Sequence, residues 1–145
     1  TVFGDYECPV SFRLWRVLGD MRAANEQFRE VFRHFPLTGV HPHAFVAAQA
    51  AEAAGDQDMF WPMHDRLFEH QDALDLPGLA VQASAIGLDV ARFDEDVAYG
   101  TFADAVRVYQ RSAISSGVVT TPAVFVNGRR LPLDEPEDLP GALAR

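Results

Sequence analysis

Only one of the 145 residues is a cysteine, Cys8, and none is a lysine. A single thiol excludes an intrachain disulfide, and with it the framework that staples many small secreted domains. The missing lysine excludes Schiff-base catalysis and a lysine-bearing phosphate loop. All twelve basic residues are arginine, against 21 acids, for a net charge of −9. An acidic surface argues against nonspecific nucleic-acid binding, which needs a basic face. No apolar run approaches the roughly 18 residues of a membrane span. The chain starts at Thr1 without a basic-then-apolar leader. With the lone thiol, this leans toward a reducing, cytoplasmic compartment. H-E-x-x-H, G-x-S-x-G and glycine-rich phosphate motifs are also missing. One cysteine cannot build a Cys–His metal cluster, so no metal is expected.

What is there suits one compact domain: 48% of residues are hydrophobic and 11% aromatic. "TVFG" begins β-like. Pro9 sits where a helix can start without losing a hydrogen bond. Phe12, Trp15, Leu18 and Met21 then recur at helical spacing and predict an amphipathic helix. "EVFRHFPL" (30–37) alternates and reads as a buried strand. From 43 to 117 the pattern is helical almost without break. "HAFVAAQAAEAAG" stops at Gly55. "DMFWPMHDRLFEHQ" follows, with Asp58 as candidate N-cap and Pro62 near the first turn. "LPGLAVQASAIG", "DVARFDEDVA" and "TFADAVRVYQRSAISSG" complete five helices. "PAVFV", the turn "NG" and "RRLPL" predict a hairpin with a type I′ turn, with Pro132 marking an edge strand. "EPEDLPGALA" reads as a terminal helix. The order is strand, helix, strand, helical block, hairpin, helix. That is an α/β chain with a small mixed sheet.

Three features could carry chemistry. Cys8 directly precedes a helix, where unpaired N–H groups and the positive end of the dipole favour thiolate. Asp5 and Glu7 oppose this with nearby negative charge. A buried, inert thiol is the commoner fate of a lone cysteine. "VVTTPAVFVNG" opens a strand on Pro122, which suits a cis X–Pro bond, although an ordinary trans proline also fits there. The five histidines, including the His41–Pro42–His43 run, read as surface or capping residues. Asp94–Asp96 reads as a solvated helix face.

Taken together, "FGDYECP", "FRHFPL" with "HPHA", "FWPMHDRLFEHQ" and "GVVTTPAVFVNG" resemble the DsbA-like disulfide oxidoreductases. The resemblance covers nearly the whole chain. It implies a thioredoxin fold with an all-helical insertion between the second strand and a cis-proline hairpin. Residues 1–42 and 118–145 would form the thioredoxin core of a single domain, and 43–117 the insertion. It also implies a site with Cys8, Ser11 and Pro122 at its centre and Pro9, Val10 and Thr121 lining it for substrate. The family pattern has a second cysteine where Ser11 stands.

That departure changes the expected reaction. A dithiol oxidase resolves its mixed disulfide with its own second thiol, and a serine hydroxyl cannot. It can donate a hydrogen bond to the Cys8 thiolate. The expectation is monothiol exchange through Cys8 with protein or small-molecule thiols and disulfides. No cofactor is implied, with glutathione or another thiol as candidate co-substrate. The alternatives are a redox-inactive peptide-binding module, a glutathione-dependent transferase or isomerase, and a Ser11 introduced by substitution to trap a mixed disulfide. The oxidase branch of the family favours the cell envelope, which would need a leader ahead of this chain. Oligomeric state and substrate stay open.

Overall fold

A computed structural model describes residues 1–145. Four strands form one sheet in the order β2-β1-β3-β4: β1 (Val2–Gly4), β2 (Phe32–His34), β3 (Ala123–Val126) and β4 (Arg129–Leu131). β1 and β2 are parallel, with Phe3 opposite Arg33. β3 runs antiparallel to both β1 and β4. The parallel pair needs a crossover, which α1 (Pro9–Ala23) supplies. A Cβ at Gly4, at the end of β1, would lie 2.5 Å from the Phe32 ring, so any larger residue there would have to displace that ring. The hairpin turn is as expected: Asn127 and Gly128 both have positive φ, the type I′ geometry.

Five helices separate β2 from β3: α2 (Ala44–Gly55), α3 (Phe60–Glu69), α4 (Leu76–Ala85), α5 (Val90–Ala98) and α6 (Ala103–Ser115). α2 lies at the centre of this block. Seven of its alanines are buried. Alanine is the best helix former, and its small side chain lets α3, α5 and α6 pack closely around one axis. The chain closes with a 3-10 turn at Pro136–Asp138 and a short α7 (Leu139–Leu143). Arg13 of α1 pairs with both Glu135 and Glu137 there. No helix is long and apolar enough to cross a membrane.

Several boundaries depart from the sequence reading. The strand expected over 30–37 is three residues long. Phe35 still donates to the Gly4 carbonyl, but Pro36 has no N–H to continue the ladder. The buried stripe of α1 is Ser11, Leu14, Leu18 and Met21. Phe12 and Trp15 sit on its flank, and Trp15 stacks on Phe68 of α3. Asp58 does not cap α3: it turns left-handed at φ +60°, and Met59 takes the cap position without a side-chain bond. Aspartate caps do occur at Asp75 and Asp89, which accept from the N–H groups of Gly78 and Arg92. Pro132 lies just beyond β4. The single terminal helix is instead a 3-10 turn followed by α7, a break that Pro140 and Gly141 favour.

Candidate active site

Cys8 is the N-cap of α1. Its backbone is extended (φ −77°, ψ 123°) and Pro9 follows at the first helical position. The sulfur takes the place that a serine or aspartate oxygen takes in an ordinary cap. It accepts a hydrogen bond from the Ser11 N–H at 3.4 Å. On its other side stands the carbonyl of Thr121, 3.8 Å away, to which a thiol S–H donates. The Thr121–Pro122 peptide is cis. Residues 113 apart in sequence therefore meet at one sulfur.

Cys8 is 5% exposed, whereas Val10 beside it is 37% exposed. Pro9 and Val10 form an open rim over a nearly covered thiol. From Val10 and Thr121 a groove of about 440 Å³ runs past Pro122, Leu131, Pro132 and Leu133. The Thr121 hydroxyl oxygen is buried and has no partner in the protein. A larger cavity, about 750 Å³, lies between the other end of α1, β3 and α7 and contains no residue of this site. Nowhere do three or more His, Cys, Asp or Glu side chains converge as a metal site.

Ser11 departs from the sequence expectation in one respect. It is buried, and its hydroxyl accepts from the Asp5 N–H at 3.3 Å. The group that reaches sulfur is the Ser11 backbone N–H, with no Oγ–Sγ hydrogen bond. The hydroxyl braces the preceding loop.

The two acids of that loop are also occupied. The Asp5 carboxylate is buried and accepts from the N–H groups of Glu7 (2.8 Å) and Leu37 (2.9 Å). His41 Nδ1 pairs with it at 2.8 Å. Glu7 accepts from the His43 N–H at 2.7 Å and meets His43 Nδ1 at 3.2 Å. Their charges are directed to the His41–Pro42–His43 segment. His41 and His43 thus hold the loop.

His34 and His64 are not surface residues as the sequence suggested; each is 1% exposed. They sit among Tyr6, Phe32, Phe60 and Phe68. His34 Nε2 lies 2.7 Å from Glu52. Burial pushes His64 down to about 3, with His34 and Arg22 adding to the effect. Burial also raises the Tyr6 hydroxyl well above its usual range. Both are therefore neutral at ordinary pH. The Tyr6 hydroxyl and His64 Nδ1 share a hydrogen bond at 2.9 Å. Above pH ~6.5 His64 is neutral folded or unfolded and costs nothing; below it, the unfolded chain gains a proton that the folded chain refuses. Stability is expected to fall by up to about 1.4 kcal/mol per pH unit from pH ~6.5 downward. Urea midpoints between pH 7 and 5 check this, and His64→Phe should flatten that part of the slope.

One residue of the site was missed from the sequence. Gln71, just after α3, donates from Nε2 to the carbonyls of Tyr6 (2.8 Å) and Cys8 (3.1 Å). It lies inside the "FWPMHDRLFEHQ" segment that carried the resemblance, but no local pattern marks a glutamine there as part of a site.

With this geometry in view, the comparisons are consistent. Residues 40–144 match the family described as the DSBA-like thioredoxin domain. The chain belongs to that family. The matched range holds the helical block and the cis-proline hairpin but starts after Cys8 and Ser11. The fold extends the likeness over the rest. BdbD from Bacillus subtilis, in its oxidised form, superposes with a TM-score of 0.84 at 21% identity, covering 99% of this chain and 84% of that one. A thioredoxin-like oxidoreductase from Silicibacter pomeroyi superposes with a TM-score of 0.82 at 24% identity, over 99% and 82%. Among curated proteins, Na(+)/H(+) antiporter NhaA 1 of Salinispora arenicola is 44% identical over 128 residues, 88% of this chain and 20% of that protein. NhaA of Herminiimonas arsenicoxydans is 41% identical over 128 residues, with the same coverage. The chain thus spans about a fifth of the length of the curated relatives it matches.

Proposed function

We propose that this domain exchanges thiols and disulfides through Cys8 alone. The observation that carries the reading is the sulfur's placement: at the N-cap of α1, bonded by the Ser11 N–H and opposite the Thr121 carbonyl at a cis-proline loop. Negative charge on Sγ, in attack or departure, faces a backbone donor and the positive end of a 15-residue helix.

The step balances without an external oxidant. The Cys8 thiolate attacks the R-side sulfur of a disulfide R–S–S–R′ and forms the mixed disulfide Cys8–Sγ–S–R, and R′–S⁻ leaves with the electron pair. A second thiolate, R″–S⁻, then attacks the R sulfur. Cys8 departs as thiolate and R–S–S–R″ is released. Glutathione or another thiol serves as R″. Pro9, Val10 and Thr121 line the approach. No metal or organic cofactor enters these steps. Four-fifths of the antiporter-named relatives lies outside the match, so the proposed chemistry belongs to the matched domain and not to ion transport.

The groove past Pro122 and Leu131 supports a second reading, in which an extended peptide is held beside the cis-proline without covalent chemistry. Incubation with glutathione disulfide and with a cystine-containing peptide, followed by intact mass, separates the two. Exchange predicts one reducible adduct at Cys8 and its release by added thiol. Peptide retention with no adduct at any thiol pool would leave binding alone.

A further inference from the structure

We infer that Gln71 is a positioning residue for Cys8, so that the helical block sets the geometry of the sulfur. The inference rests on the exchange reading above.

The two partners of the Gln71 amide are both carbonyl oxygens, of Tyr6 and Cys8. Only the NH₂ end can stand between two acceptors, and its two hydrogens are both used. The side chain thus spans the carbonyls on either side of Glu7. The Cys8 carbonyl also accepts the first helical bond, from the Phe12 N–H at 3.1 Å. Gln71 fills its second lone pair. This matters because Cys8 is the cap. The direction of its carbonyl fixes the extended ψ of the residue, and that ψ sets where Sγ lies relative to the Ser11 N–H. A loop that lost the Gln71 bridge would depend on water for both carbonyls. The Cys8 backbone would then sample orientations in which the 3.4 Å contact to sulfur is broken.

The bridge is long-range: 65 residues separate Gln71 from Tyr6 and 63 from Cys8. Its neighbours act in the same sense. His41 holds Asp5, His64 holds the Tyr6 hydroxyl, and His43 holds Glu7. Every residue of the 5–8 loop is fastened by a side chain from residues 41–71. Gln71 differs from the others because its acceptors include the backbone of the nucleophile itself.

The test uses the whole chain and three measurements. The first is the rate of Cys8 with a neutral aromatic disulfide in the unaltered protein. No reaction there would remove the exchange reading but leave the placement of Gln71 to be decided by the other two. The second is the same rate in Gln71→Leu and Gln71→Glu, with urea midpoints and amide hydrogen exchange at Ser11. Loss of donors should slow Cys8 by about tenfold and expose the Ser11 amide, while the Leu18 amide in the same helix keeps its protection. A general loosening of the helical block would not single out Ser11. Rates and Ser11 exchange within twofold of the unaltered protein in a folded variant overturn the inference. The third needs no variant: the Gln71 side-chain NH₂ protons should exchange slowly and shift when Cys8 is derivatised. Exchange at the rate of a free amide also overturns it.

Discussion

Replacing Cys8 by alanine should reduce disulfide exchange to the uncatalysed background. It should leave the fold standing, with a stability loss of about 1 kcal/mol. The chain holds no other thiol, so no side route can compensate. The informative measurement is the fate of substrate. A fluorescent cystine peptide with reduced glutathione in excess should turn over with the unaltered protein and not with Cys8→Ala. Capture of that peptide should also collapse, because the covalent bond supplies most of its lifetime. If capture by Cys8→Ala matches the unaltered protein, the groove works by binding alone and the exchange mechanism is wrong. The cap contact makes the structural cost small. Alanine leaves the buried Ser11 N–H without its sulfur partner, and one unpaired donor costs about 1 kcal/mol.

The second large effect is the reverse substitution. Ser11→Cys should convert the proposed one-thiol exchanger into a dithiol protein. Ser11 is one turn from Cys8, and its N–H already touches Sγ. A thiol at position 11 would attack the mixed disulfide from within the same helix turn. Tethered, well-oriented groups reach very high effective concentrations, so the adduct lifetime should fall by at least about 10³-fold. An intrachain disulfide should accumulate in its place, seen by acid quench and intact mass and titrated against a glutathione redox buffer. The cost is the hydroxyl that accepts from the Asp5 N–H, about 1 kcal/mol. A mixed disulfide that survives as long as in the unaltered protein would mean that position 11 does not face the sulfur productively.

These two residues show what the sequence could carry and where it stopped. A cysteine ahead of a proline-started helix was enough to place Cys8 at a cap, because helix starts have local signals. "TTP" before a β-prone run was enough to suggest the cis bond found at Thr121–Pro122. The helical block and the hairpin were legible from periodicity and from Asn127–Gly128. What the sequence misled on was direction. Ser11 was expected to point its hydroxyl at sulfur, and the backbone does so instead. Asp5 and Glu7 were expected to act on the thiol, yet they bind histidines some 36 residues away. Asp58 had the composition of a cap and the wrong backbone angle. His34 and His64 were read as surface residues because nothing local reveals an aromatic enclosure built from β2, α3 and the loop before α1. Gln71 could not be found at all, since its role exists only once α3 has docked. The failures at Asp5, Glu7, His34, His64 and Gln71 concern contacts between distant segments, which spacing along the chain does not encode.

The meeting of Cys8 with Thr121 also bears on the order of synthesis. Cys8 leaves the ribosome first and its carbonyl neighbour 113 residues later. At ordinary elongation rates that gap is roughly 6 to 23 s. Through this interval the thiol has neither its cis-proline wall nor most of the helical block around its loop. The growing chain carries the thiol before it carries the walls that enclose it. Within residues 1–145 no second cysteine is made during that interval.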